Sequence, residues 1–90
     1  MQKLIYHQRY SVDDSGRVFN AMTGKQLKPG KNSRGYMTVS LYDGSSPKKA
    51  KSFLVHRLIA EAFLGKNDLQ INHKNGDKTD NRLENLKFVT

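Results

Sequence analysis

The last twenty residues, Ile71-Asn72-His73-Lys74-Asn75-Gly76-Asp77-Lys78-Thr79-Asp80-Asn81-Arg82-Leu83-Glu84-Asn85-Leu86-Lys87-Phe88-Val89-Thr90, leave little choice of local fold. A short apolar strand carrying one histidine runs into a polar loop and returns through Asn-Leu into a second apolar strand. In Gln70-Ile71-Asn72-His73 the period of two puts His73 and Ile71 on one face and Asn72 on the other. Residues 74 to 79 are rich in Asn, Gly and Asp, which tolerate turns and hydrogen-bond their own backbone. Asn81 and Glu84 have the spacing of an N-cap and its capping-box partner, which predicts a brief helical turn over residues 82 to 86. Lys87-Phe88-Val89-Thr90 then pairs back on the first strand. A histidine so placed can act as a base, because its ordinary pKa lies near neutrality. The surrounding Asn and Asp oxygens are hard donors, suited to magnesium or manganese rather than zinc.

The rest of the chain reads as two further hairpins and one helix. Residues 9 to 28 hold Arg9-Tyr10-Ser11-Val12 and Arg17-Val18-Phe19-Asn20, joined by Asp13-Asp14-Ser15-Gly16. A second turn at Thr23-Gly24 precedes Lys25-Gln26-Leu27-Lys28, and Pro29-Gly30 closes the unit. Over residues 35 to 55, Met37, Val39 and Leu41 alternate with Thr38, Ser40 and Tyr42 as in a half-buried strand. Asp43-Gly44-Ser45-Ser46-Pro47 is the loop, and Phe53-Leu54-Val55 the return. Arg34, Tyr36, Lys48, Lys49 and Lys51 are expected near the edge of this ribbon, where they could enter a DNA groove. Val55, Leu58, Ile59, Ala62 and Phe63 form one apolar stripe at helical spacing, and Gly65 sits where a left-handed cap is expected. His56 and Arg57 fall opposite that stripe; His56 could touch a phosphate, but a partly buried structural role is the one expected. The fold class is α+β: small antiparallel hairpins plus one amphipathic helix at residues 55 to 64.

Charge is unevenly spread. Residues 1 to 57 hold eleven Lys and Arg against three acids, a net of +8, whereas residues 58 to 90 hold five of each sign, a net of zero. All the excess positive charge lies upstream of the histidine hairpin, which suits binding of a polyanion. The absence of cysteine excludes a disulfide framework and a Cys-containing zinc site. The three histidines, His7, His56 and His73, are scattered along the sequence and do not suggest a zinc cluster. The longest apolar runs are far short of the roughly 20 residues of a membrane span. No signal peptide is expected.

The final hairpin resembles the HNH nucleases, specifically the phage and intron-encoded homing endonucleases. Their pattern reads roughly (Asp/Asn)-His-x-(Asp/Asn)-Gly-(Asp/Asn)-x-x-x-Asn-x-x-x-Asn-Leu-x-(Trp/Phe)-Val-Thr. It is filled here by Asn72, His73, Asn75, Gly76, Asp77, Asn81, Asn85, Leu86, Phe88, Val89 and Thr90. The Tyr-x-Val…Gly-x-Val pattern of residues 10 to 18 is similar to a small module that often precedes such domains. The resemblance implies a basic, DNA-contacting β module at residues 1 to 34. It also implies a nuclease domain at residues 35 to 90 whose last part is a ββα-metal finger. It implies metal-dependent hydrolysis of DNA, with His73 as general base, Asn85 tying the loop and orienting His73, and Asn72 as a metal ligand for Mg2+ or Mn2+. Double-stranded DNA would be held by Arg9, Arg17, Lys28, Lys31, Arg34, Tyr36, Lys48, Lys49, Lys51 and Arg57. The expected setting is a monomer without a small-molecule cofactor or a membrane, encoded by a phage or mobile element and acting in the cytoplasm of a bacterial host. Family members continue past Val-Thr into a helix with a last metal ligand. The chain ends at Thr90, so these ninety residues alone are expected to form an incomplete site with weak or absent cleavage. The alternative is a non-catalytic nucleic-acid-binding module on the same scaffold.

Overall fold

The computed structural model describes residues 2–44 and 49–89. Lys48 and most of the loop before it lie outside them. Three small antiparallel sheets surround one helix. The first has the order β1 (Gln2–Ile5), β2 (Tyr10–Asp13), β3 (Val18–Asn20), and the second the order β4 (Gly30–Lys31), β5 (Met37–Tyr42), β6 (Ala50–Leu54). Helix α1 (Val55–Leu64) follows β6 directly. The third sheet pairs β7 (Gln70–His73) with β8 (Leu86–Val89), entered through a 3₁₀ turn at Leu83–Asn85. No helix among the described residues is long and apolar enough to cross a membrane.

The alternation in β5 buries Val39 and Leu41 and leaves Ser40 and Tyr42 exposed. Strand β2 is buried along its whole length, including Ser11 and Asp13. The Asp13 carboxylate is satisfied by the turn it closes, accepting from the backbone N–H groups of Ser15 (3.1 Å) and Arg17 (3.0 Å) and from Arg17 Nε (2.8 Å). Tyr10, Val12, Val18, Val39, Leu41, Val55, Ile59, Ala60 and Leu86 form one core fed by all three sheets. Because β4 pairs with β5, the second sheet runs across residue 34, and the basic N-terminal segment shares hydrogen bonds and core with residues 35 to 90.

Three expectations change, and one strand is added to them. Strand β1 pairs with β2 in full register although Gln2, Lys3 and Leu4 are exposed and Ile5 is half-buried. The turn joining them holds Tyr6, His7 and Gln8 at φ of 43°, 60° and 61°. This left-handed run costs about 1–2 kcal/mol per residue and is offset in part by Tyr6 packing edge-on against Phe53 at 4.8 Å. The buried face of α1 is turned toward His56 and Ala60, while Leu58, Ala62 and Phe63 are only half-buried. His56 is therefore inside, because strands press on the helix from several sides rather than along one stripe. Gly65 has φ 99° and ψ 152°, a positive-φ conformation other than the expected left-handed cap. The 3₁₀ turn has no side-chain cap, since Arg82 occupies the capping position and Asn81 is engaged elsewhere.

Candidate functional site

The ladder of β7 and β8 sets Ile71 opposite Phe88, Asn72 opposite Lys87 and His73 opposite Leu86. Ile71 and His73 turn toward the helix, and Asn72 faces outward and is exposed. His73 keeps 7 % of its surface accessible. Its Nε2 lies 2.9 Å from Oδ1 of the buried Asn81. An amide oxygen only accepts, so this bond places the imidazole proton on Nε2 and leaves the Nδ1 lone pair bare. Among the described residues no hydrogen bond reaches Nδ1, and that atom is not sealed in the interior.

Two rings pack around His73. His56 approaches edge-on, with centroids 5.0 Å apart and planes at 66°, and Tyr36 lies 5.1 Å from His56 and 6.1 Å from His73. Burial, the nearby His73 and Arg57 together push the His56 pKa from 6.5 down to about 4, so this ring is neutral at pH 7. Tyr36 was expected on the ribbon edge but instead stands half-buried in the wall of the site. Its outer face carries Lys78, whose Nζ sits 4.8 Å from the ring centroid and donates to the Arg34 carbonyl at 3.0 Å. The turn of the second sheet is thereby joined to the polar loop.

Asn85 is 5 % exposed, and its side chain holds the polar loop together. Its Oδ1 accepts from the Asn75 N–H (3.1 Å), and its Nδ2 donates to Asn75 Oδ1 (3.0 Å) and to the Asp80 carbonyl (2.9 Å). It shapes the loop that carries Asn81 rather than touching the histidine. The loop acids are committed as well. Asp77 accepts from Thr79 Oγ1 (2.7 Å) and the Thr79 N–H (2.9 Å), and these bonds hold its carboxyl below the usual range. Asp80 is held down chiefly by its hydrogen bond to Arg82, at 2.8 Å from both Nε and Nη2. The turn after β2 supports the loop from below. Leu83 N–H donates to the Asp14 carbonyl at 2.9 Å, and a Cβ on Gly16 (φ +87°) would sit 2.5 Å from the Asn81 carbonyl oxygen.

Residues 53–90 match the HNH endonuclease family over its characteristic pattern. This segment is an HNH endonuclease domain. Residues 5–42 match the NUMOD4 motif, through β1 to β5. The DNA endonuclease I-HmuI of Bacillus phage SP01 is 37 % identical over 87 residues, covering 94 % of this chain and 48 % of that protein. An uncharacterised HNH endonuclease of Acanthamoeba polyphaga mimivirus is 39 % identical over 87 residues, covering 92 % of this chain and 21 % of that protein. The solved structure of the HNH homing endonuclease I-HmuI, described for its DNA binding and cleavage, matches with a TM-score of 0.86 at 37 % identity. It covers all of this chain and 52 % of that one. The chain thus spans about half the length of I-HmuI and less of the mimivirus relative.

A divalent metal is the usual cofactor of the HNH family, and the donor set here bears on how one could be held. Among the described residues no three His, Cys, Asp or Glu side chains converge. His56 and His73 do meet in space despite their separation in sequence, but Asp77 and Asp80 are tied into the loop. Asn72, exposed on the face of β7 opposite His73, is the neutral hard donor adjacent to it in sequence. Magnesium is commonly held by one or two carboxylates together with substrate phosphates and water, so a single neutral amide is a weaker donor set than that ion usually has.

The basic residues divide. Arg9, Lys28, Lys31, Arg34, Lys49 and Lys51 are exposed. Arg17 is exposed but ion-paired with Asp13 at 2.8 Å. Arg57 is half-buried and anchored, bonding Glu61 Oε2 (3.0 Å) and the carbonyls of Asn67 (3.1 Å) and Leu69 (2.6 Å). It fastens the segment between α1 and β7. Lys78 has no distinctive sequence signal and reads as an ordinary loop lysine. Asn81 fills a position of the HNH-like pattern, but its spacing reads as an N-cap rather than as a partner of His73.

Proposed function

We propose that this chain cleaves DNA as an HNH homing-type endonuclease, with His73 as the general base of phosphodiester hydrolysis. The observation that carries this reading is the His73–Asn81 bond, which fixes the proton on Nε2 and leaves Nδ1 free to take another. Nδ1 would remove a proton from a water molecule as that water attacks the scissile phosphorus. The bond from phosphorus to the 3′ oxygen breaks, and the departing oxygen takes up a proton from solvent. A divalent ion, magnesium or manganese, would supply electrostatic stabilisation of the charge on the phosphate and leaving oxygen, with Asn72 as the chain's own donor to it. Asn85 shapes the loop that presents Asn81.

In this reading residues 1–34 contact double-stranded DNA and residues 35–90 carry the cleavage centre, a division of labour within one packed core. Arg9, Lys28, Lys31, Arg34, Lys49 and Lys51 are the exposed candidates for phosphate contacts, and Lys48 joins them on charge alone. Arg17, Tyr36 and Arg57 contribute through the structure they hold. A monomer acting in the cytoplasm of a phage or mobile-element host fits a phage relative such as I-HmuI. The neutral Asn72 and the committed loop acids favour one rival, a non-catalytic nucleic-acid-binding module. Incubation of supercoiled plasmid with magnesium or manganese separates the two. Nicking by the wild type, abolished in His73→Ala with duplex affinity unchanged, supports the enzyme. Duplex binding with no nicking by the wild type supports the binder.

A further inference from the structure

His56 is 6 % exposed and takes no part in the proton transfer through His73. Among the described residues its Nδ1 is the one buried side-chain nitrogen or oxygen without a hydrogen-bond partner. Leaving a buried polar atom unpaired costs about 1–3 kcal/mol. A phenylalanine at this point of α1 would fill the same space beside Tyr36 and His73 without that cost. Stability alone therefore does not account for a histidine here. The cost is lower when a lone pair rather than an N–H is stranded, since orphaned buried N–H groups are the rarer defect. That preference fixes the tautomer, with Nδ1 bare and the proton on Nε2. Nε2 is not sealed in, and no described residue accepts its proton. The ring lies 5.0 Å from His73, a separation that one phosphate group can span.

We infer that His56 is a second histidine of the cleavage site, donating through Nε2–H to a non-bridging oxygen of the DNA phosphate presented to His73. The inference rests on the reading of His73 as base. A neutral donor suits this place. It stabilises charge growing on the phosphate without adding a cation beside the histidine that must accept a proton. His73, Arg57 and Tyr36 are the ionisable groups around the ring, and burial keeps His56 uncharged down to about pH 4, so the donor is present at neutral pH.

The test compares wild type, His73→Ala, His56→Phe and His56→Gln in plasmid nicking with magnesium, alongside thermal melts. His56→Phe is expected to melt at or above the wild-type temperature and to keep KM for DNA within about twofold, while kcat falls by about a hundredfold. His56→Gln, which restores an N–H donor, is expected to recover part of that loss. A His56→Phe protein that nicks within twofold of wild type, or whose activity and melting temperature fall together, overturns the inference. If wild type and His73→Ala nick equally, the reading of His73 fails, and the ring ¹H–¹⁵N spectrum of His56 then decides separately. On addition of a short DNA duplex with calcium, the Nε2–H signal is expected to shift and to exchange more slowly. An unchanged signal while the duplex is bound, or a proton found on Nδ1, contradicts the inference.

Discussion

Acid should destabilise this fold through one ring, and the size of the effect is set by where that ring sits. In the unfolded chain residue 56 takes up a proton as pH falls below 6.5, whereas the folded protein resists until about pH 4. Protons therefore favour the unfolded state throughout that window. Stability contributed by the neutral, buried His56 is full above pH 6.5 and is lost progressively toward pH 4. Going from about pH 7.5 to about pH 4.5, the linkage amounts to about 2.5 kcal/mol at full effect. Water reaching Nε2 relaxes part of the burial cost, so about 1.5–2.5 kcal/mol is expected. With a urea dependence of about 1 kcal/mol per molar for a domain this small, the midpoint should drop by about 1.5–2.5 M. His7 and His73 are present in both wild type and His56→Phe, so the difference between their urea curves isolates residue 56. Asp77 and Asp80 lose their contribution as pH falls through and below the ordinary carboxylate range, at and beyond the acid edge of the window. Between pH 6.5 and 4 the stability of His56→Phe should fall less than that of the wild type by the amount assigned to His56. An undiminished slope in that variant refutes the account of His56 as a buried neutral ring.

Three other substitutions probe the support of the site. Asn85→Ala removes three part-buried hydrogen bonds of the loop and should cost about 2–3 kcal/mol in urea unfolding, with nicking reduced more than duplex binding. Gly16→Ala meets both a positive φ and the Asn81 carbonyl at 2.5 Å, so a loss of about 2 kcal/mol or more in thermal unfolding is expected, together with slower nicking, although Gly16 lies far from His73 in sequence. Asn72→Asp replaces a neutral donor by a carboxylate and should lower the magnesium concentration that gives half-maximal nicking. An unchanged or higher requirement removes Asn72 from the metal's surroundings.

Much of this architecture is legible in the sequence because it is written locally. Alternation in residues 37 to 41, the Asp13-Asp14-Ser15-Gly16 turn and the helical stripe from Val55 each specify an element within a few residues. The His73 hairpin is legible for the same reason. What escapes is set by contacts between distant segments. Strand β1, Gln2-Lys3-Leu4-Ile5, lacks an alternation of apolar residues and is reached through Tyr6-His7-Gln8, a turn without glycine, so neither apolar period nor turn chemistry announces it. His56 lies off the apolar stripe yet is buried, because α1 is wedged among strands from three sheets. Asn81 has a capping residue's spacing, but its oxygen goes to His73, since that imidazole would otherwise bury an unpaired N–H. Tyr36 and Arg57 read as DNA contacts from residue type alone. The packing of Tyr36 against His56 and the bonds of Arg57 to the Asn67 and Leu69 carbonyls depend on chain segments that meet only in the fold.

Chemical rescue addresses the role of His73 most directly. A His73→Gly protein that remains folded and bound to duplex should nick plasmid at less than about a hundredth of the wild-type rate, and free imidazole should restore nicking in a concentration-dependent manner. Nicking at the wild-type rate without imidazole would mean that no proton passes through residue 73, and the proposed mechanism would be wrong.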